Sequence, residues 1–391
     1  MEVSILSLNI LLAVATSAII TAYGIPVVID LAFKKNLTDA PDNDRKIHKR
    51  IIPTLGGVAI FMGSIISFSL WVGNEIPVFF PFLVAGSVLL FIIGIKDDLG
   101  DMDPEKKFIA QLLAASFVVI GGKVRLDFLD GFLGLNTLPE IAAILLTIFA
   151  FVVIINAYNL IDGVDGLAGT LSLIGTFFFG VWFTVNGHFG EAVLAASLAG
   201  ALIGFLYYNS APAKIFMGDT GSLVIGLIMG VMAFRLIELN AVSYVYSFET
   251  PTVFALSLLI IPVSDMLRVL IVRFLKRNPP FLPDRNHIHH KLLDIGFGHR
   301  NICRFLGISF VLIIALSKIL PFRSEVHIYL FSIMGLAALI LPAAVILKRL
   351  QARLKIRIRR RLTQKPVQYT MRKAEGNYII KRETVLKNKV S

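Results

Sequence analysis

The chain has 391 residues, 56% of them hydrophobic and only 16% charged, where soluble domains carry about a quarter charged. A mean hydropathy of +0.78 excludes an ordinary soluble globular protein, and a single cysteine excludes an internal disulfide framework. The net charge of +12 does not point to nucleic acid, because much of the excess lies from Lys348 onward and includes Arg357, Arg359, Arg360 and Arg361.

In chain order the apolar runs predict eleven membrane-spanning helices, near residues 5–32, 56–73, 77–95, 108–122, 138–158, 167–186, 191–208, 220–238, 250–273, 302–320 and 326–348. The first is too long for a leader core and lacks a basic start, so it is expected to remain as a span. Gly121 and Gly122 are expected to end the short fourth one. The first connection carries Lys34, Lys35, Arg45, Lys46, Lys49 and Arg50, and the ninth carries Lys276, Arg277, Arg285, Lys291 and Arg300. Such bias marks the cytoplasmic side. An odd number of spans then puts the N-terminus outside and the C-terminus in the cytoplasm. The expected fold is all-α and polytopic: residues 1–348 form the transmembrane domain and 349–391 a basic tail drawn to anionic lipid. No internal repeat of the transporter kind is visible.

Carboxylates stand where these spans stop. In the third connection Asp97, Asp98 and Asp101 are followed by Lys106 and Lys107. Adjacent carboxylates attract a divalent cation, or raise one another's pKa so that one serves as a base. A solvated loop is the competing reading, preferred for Asp103-Pro104 as helix cap and first residue. At the end of the fifth span Asn156 and Asn159 share a helix face, and Gly163 and Gly166 allow successive turns at Asp162 and Asp165. Turn formation explains those glycines but leaves the two amides without a purpose. FMGDTGS, Phe216 to Ser222, places Asp219 just before the eighth span. There Asp219 or Thr220 caps the helix, or Asp219 binds a metal, and the motif alone does not separate the two.

In the ninth connection His287, His289 and His290 lack the spacing of a structural zinc site. With Arg285 and Lys291 they suggest a cationic pocket for phosphate oxygens. His188, His299 and His327 stand alone and are assigned structural or solvated roles, and Cys303 a packing role. Asp265 and Arg268, three apart inside the ninth span, are expected to satisfy each other. Oxygen ligands, a base and phosphate-binding cations together predict magnesium-assisted phosphoryl chemistry on a lipid or a nucleotide.

With these motifs in place, the stretch from about Asp39 to Gly298 resembles the polyprenyl-phosphate N-acetylhexosamine-1-phosphate transferases of bacterial membranes (glycosyltransferase family 4), in a branch like the WecA and TagO type. Five ordered motifs carry the resemblance: DNDRKIHKRIIPTLGG ending at Gly57, DDLGD, NAYNLIDGVDGLAGT, FMGDTGS and HIHH. It implies an eleven-span fold in the bacterial plasma membrane with a cytoplasmic active site. The implied reaction moves a sugar 1-phosphate, commonly N-acetylglucosamine 1-phosphate, from a UDP-sugar to undecaprenyl phosphate and releases UMP. That reaction starts a cell-envelope polysaccharide.

The resemblance further implies that Asn159 and Asp219 bind magnesium, with manganese as the alternative ion. In the catalytic set it implies, Asp98 or Asp97 deprotonates or positions the lipid phosphate, and Asp162 and Asp165 are tied to the nucleotide-sugar. Lys107 matches a lysine near the phosphates, and Lys46, His48, Thr54 and Gly57 match the first-loop pattern. Asn156 joins the substrate-binding set, in which His287, His289 and His290 contact the pyrophosphate. The phospho-N-acetylmuramoyl-pentapeptide transferases, with a longer histidine motif, rank second, and an ion-coupled transporter is the reading from another class. No nucleic-acid partner is expected, and a homodimer is one oligomeric option.

Overall fold

The computed structural model describes residues 2–35, 52–100, 102–129, 137–243, 245–275, 287–319, 340–363, 367–374 and 377–384. Lys46, His48, Asp101, Arg285, His327 and most of the expected eleventh span lie outside the described residues. The chain divides into two compact units, Met1–Leu341 and Pro342–Ser391.

Long apolar sequence in lipid leaves the backbone no partner but itself, and the α-helix satisfies every N–H within one segment. The described part of the first unit is accordingly helical. It runs α1 (Glu2–Lys34), α2 (Gly56–Trp71), α3 (Phe80–Leu99), α4 (Pro104–Ser116), α5 (Glu140–Ile161), α6 (Leu167–Val185), α7 (Phe189–Asn209), α8 (Gly218–Asn240), α9 (Pro251–Ser257), α10 (Ile260–Leu275), α11 (Ile288–Asp294) and α12 (His299–Ile319). Among the described residues seven helices are long and apolar enough to cross a membrane, or eight if α9 and α10 make one broken span. The protein is thus a multi-pass helical membrane protein.

Local chemistry sets the boundaries. Asp103 caps α4 by accepting from Glu105 N at 3.1 Å, and Pro104 opens the helix, as expected. A π-turn over Phe117–Gly121 then leads to Gly122, where the glycines were expected to stop the helix. The expected ninth span is not continuous: α9 and α10 meet at 81°. Pro262 lacks the N–H that would bond back to Leu258, so the ladder cannot run through.

The second unit corrects the all-helical expectation. Beyond α13 (Ile340–Thr363), β1 (Val367–Ala374) and β2 (Asn377–Thr384) pair antiparallel, from Val367 opposite Thr384 to Ala374 opposite Asn377. Val367, Tyr369 and Thr370 in β1 and Tyr378, Ile379 and Ile380 in β2 are β-branched or aromatic, and such residues suit a pleated ribbon.

The buried centre of the first unit is α7 and α8. α7 packs on α1, α2 and α6, while α8 packs on α2, α3 and α5. Apolar attraction between helices is weak in lipid, so hydroxyl-to-carbonyl bonds help to join them. Ser17 Oγ donates to Ser197 O at 2.6 Å, Ser67 Oγ to Ala13 O at 2.7 Å and Thr21 Oγ1 to Ala59 O at 3.2 Å. Arg235 of α8 is tied to Glu191 of α7 at 2.7 Å. This packing gathers the C-terminal ends of α3 and α5 and the N-terminal ends of α2, α4 and α8 at one end of the bundle.

Candidate active site

The platform of the site is the backbone before α2 and α8. Phe216 N donates to Pro53 O at 2.8 Å, and Gly56 N and Gly57 N donate to Phe216 O and Met217 O, each at 2.9 Å. A β-carbon on Gly57 would collide with the backbone of Gly221, so glycine there lets α2 approach the first turn of α8. Thr54 Oγ1 reaches the carbonyl of Asp98 at 3.5 Å. Thr54 and Gly57, expected among the substrate-binding residues, therefore make contacts that build the platform.

Asp98, at the end of α3, occupies the start of α8. Its Oδ1 accepts from Asp219 N at 2.8 Å, and its Oδ2 accepts from Thr220 N at 3.0 Å and Thr220 Oγ1 at 2.5 Å. Gly218 turns the chain with a φ of +71°, and a β-carbon there would run into the Asp98 carboxylate. The capping expected from Asp219 or Thr220 is thus supplied from outside the helix, and both residues donate to the cap. A carboxylate there also meets the positive end of the helix dipole.

Freed from capping, the Asp219 carboxylate is shared between two neighbours. Asn159 Nδ2 donates to its Oδ1 at 2.7 Å and to Ser222 Oγ at 3.0 Å. Lys107 Nζ contacts Asp219 Oδ2 and lies 3.4 Å from Asp97 Oδ2. Asp97 Oδ1 also accepts from Met102 N at 3.2 Å. Asp97, Lys107, Asn159 and Asp219 are half-buried, so the cluster stays open to water. Asn156 does not join it. It exchanges amide hydrogen bonds with Gln111 of α4, at 2.6 Å and 3.3 Å, one turn deeper along α5.

The Asp-Gly turns form the next wall. Asp162 closes α5, and the backbone N–H of Gly218 bonds to its carboxylate. Withdrawal from solvent, with the Asp98 and Asp165 charges close by, lifts the Asp162 carboxyl well above the usual range despite that bond. Asp165 is buried and holds the loop before α8: its Oδ2 accepts from Ala213 N at 3.1 Å. His299 Nδ1 lies 3.1 Å from Asp165 Oδ1, so His299 is not isolated as the sequence suggested. Cys303 Sγ donates to Asp165 O at 3.1 Å, a local packing role as expected.

The histidines complete the enclosure. His289 lies against Gly163, where no β-carbon would fit, and 4.3 Å from the ring of His290. Burial and the neighbouring His290 push the His289 imidazole down to about 3. It is therefore neutral at physiological pH, which corrects the cationic pocket expected of it. Its buried Nδ1 has no hydrogen-bond partner among the described residues. His287 is buried and faces Asp265, leaving His290 as the half-buried member of the three.

Gln111, Ser222 and His299 are neighbours of this site that the sequence did not assign to it. Only Ser222 carried a signal, being a hydroxyl in the first turn of a helix that begins with an acid.

Among the described residues no group of three or more His, Cys, Asp or Glu is placed to hold a metal by itself. The donor set still fits magnesium, which takes one or two carboxylates and completes its shell with water and substrate oxygens. Asp219 and the amide of Asn159 are hard oxygen donors, and the Asp97 carboxylate lies beside them across Lys107. The Lys107 ammonium between Asp97 and Asp219 marks the position as one that attracts positive charge.

A multi-pass helical membrane protein with acids, an amide and a lysine from separate helix ends meeting at one point has the makings of an interfacial phosphoryl-transfer enzyme. The sequence profile described as Glycosyl transferase family 4 matches residues 80–237, which span α3 to α8. Similar relatives include the probable undecaprenyl-phosphate N-acetylglucosaminyl 1-phosphate transferase of Bacillus subtilis, 36% identical over 70% of this chain and 75% of the relative. The decaprenyl-phosphate N-acetylglucosaminephosphotransferase of Mycolicibacterium smegmatis is 33% identical over 73% of this chain and 75% of its own length. The undecaprenyl-phosphate alpha-N-acetylglucosaminyl 1-phosphate transferase of Escherichia coli K12 is 29% identical over 85% and 90%. This chain belongs to glycosyl transferase family 4, the family its five motifs resemble.

Proposed function

We propose that this protein transfers N-acetylglucosamine 1-phosphate from UDP-N-acetylglucosamine to undecaprenyl phosphate, with UMP as leaving group, at the cytoplasmic face of a bacterial plasma membrane. The names of the relatives support the sugar phosphate and the polyprenyl acceptor. The observation that carries the reading is Asp219, held between Asn159 and Lys107 at a helix end that Asp98 caps. The basic first and ninth connections support placing that end inside, with eleven spans and an outside N-terminus. The basic tail adds attraction to anionic lipid.

In this reaction an oxygen of the lipid phosphate attacks the phosphorus that bears the sugar, and the bond to the UMP oxygen breaks. One pyrophosphate link replaces another, so no separate energy source is needed. The obstacle is repulsion, because both reactants are anions and the site already holds the Asp97 and Asp219 carboxylates. Lys107 offsets part of that charge next to the diphosphate. Asp97, which faces Lys107, orients the lipid phosphate and accepts its proton, while Asp98 keeps the α8 end in place. The turn at Asp162 and Asp165 holds the nucleotide-sugar, and His289 and His290 hydrogen-bond to phosphate oxygens. Asn159 and Asp219 hold magnesium, which when bound supplies Lewis-acid stabilisation of the developing charge. The isoprenoid stays among the helices while its phosphate meets a water-soluble donor.

The test is UMP release by the purified protein from a panel of labelled UDP-sugars with undecaprenyl phosphate. The expected result is turnover with UDP-N-acetylglucosamine that stops on chelation and returns with magnesium. A panel with no donor yielding UMP overturns the reading. Exchange of UMP without any lipid acceptor overturns the direct attack.

A further inference from the structure

Asp265 is a buried carboxylate, 4% exposed on α10, to which the chemistry above gives no part. Removing a carboxylate from water is unfavourable unless its oxygens are engaged, and three donors engage this one. Arg268 Nη2, one turn on, donates to Oδ1 at 2.7 Å, which is the pair expected from the spacing. The other two come from the histidine segment. His287 Nδ1 lies 3.0 Å from Oδ2, and Ile288 N donates to Oδ1 at 2.8 Å. Balancing Arg268 needs neither of these bonds. They tie α10 to the first turn of α11.

The contacts continue towards the site. The His287 ring lies parallel to that of His289 at 5.7 Å, and His289 fills the space against Gly163 beside Asp162. α10 itself packs on α5, the helix that carries Asn159. A carboxylate on the opposite side of an imidazole from its working face commonly fixes the tautomer and the ring orientation.

We propose that Asp265 is a positioning residue for the histidine segment: it holds His287 as the Nδ1–H tautomer, anchors the start of α11, and so sets His289 and His290 against the Asp162 turn. It touches no reacting atom. The inference rests on the transferase reading above.

The test uses the full chain in lipid nanodiscs and measures kcat, KM for UDP-N-acetylglucosamine and the thermal unfolding curve. Asp265→Asn keeps the size and loses the charge. It lowers kcat by about 10²-fold, the order expected when a reacting arrangement is displaced by about an ångström, with KM little changed and unfolding still cooperative. Because Asp265 acts largely through His287, adding Asp265→Asn to His287→Gln lowers kcat by far less than Asp265→Asn does alone. Asp265→Glu retains the charge and recovers part of the loss. If Asp265→Asn does not fold, the glutamate variant and its own cycle with His287→Gln carry the test. Independent, multiplying losses in the cycle overturn the inference, as does a wild-type kcat in Asp265→Asn. UMP release by the wild type is the control: its absence overturns the transferase reading itself, whereas the other two results with an active wild type overturn only the positioning role.

Discussion

Both oxygens of Asp98 accept from the first turn of α8, whereas Asp219 directs its own towards Asn159 and Lys107. The two acids should therefore fail differently. Asp98→Ala removes a cap, which is typically worth about 1 to 2 kcal/mol, and it also releases Asp219 from its place. A thermal melt in detergent should fall and UMP release should vanish. Asp219→Asn should melt like the wild type and still lose nearly all activity; a variant that melts normally and turns over normally would remove Asp219 from the site. His289 gives a test in pH. The unfolded imidazole takes up a proton near 6.5, while the folded one resists until about 3. Between those values the unfolded chain binds the extra proton, so this contribution to stability is complete above about pH 6.5 and fades as pH falls towards 3. Melting temperature should thus drop on acidification, and less steeply in His289→Asn. Equal slopes would show that His289 does not titrate in this way.

At the scale of helices, the close fit of α2 on α8 at Gly57 is the contact that sets the floor of the site. Gly57→Ala pushes a methyl into backbone, and overpacking of this kind typically costs about 1 to 3 kcal/mol. We expect a lower melting temperature together with reduced turnover, and an alanine variant with both unchanged would mean that the two helices are free to part. Much of this arrangement was legible in the sequence. Apolar runs located α1 to α8, Asp103-Pro104 marked the start of α4, and the Asp-Gly pairs marked the end of α5. What sequence could not supply was partnership across distance. Asp219 lies within its own helix's first turn, so local rules left capping and metal binding both open for it, yet the cap comes from Asp98, more than a hundred residues earlier. Asn156 and Asn159 looked like one functional face, but α4 takes the first as partner for Gln111 and α8 takes the second. The break between α9 and α10 was signalled by Pro262 and overlooked inside a continuous apolar run.

For the whole molecule, hydropathy identified the solvent before any residue was assigned a task, and the described helices agree with a multi-pass protein. The β-hairpin of the tail was hidden because basic residues interrupt its alternation, so charge was read and period was not. In the proposed transferase, side chains from three separate connections meet around one cation. Manganese titrated into the protein and followed by electron paramagnetic resonance tests it most directly, in the wild type and in Asp97→Asn, Asn159→Ala and Asp219→Asn. We expect one bound ion in the wild type and weakened binding in every one of the three variants, although their residues lie far apart in sequence. Wild-type affinity in all three, or an ion lost only when one connection is altered, would contradict it.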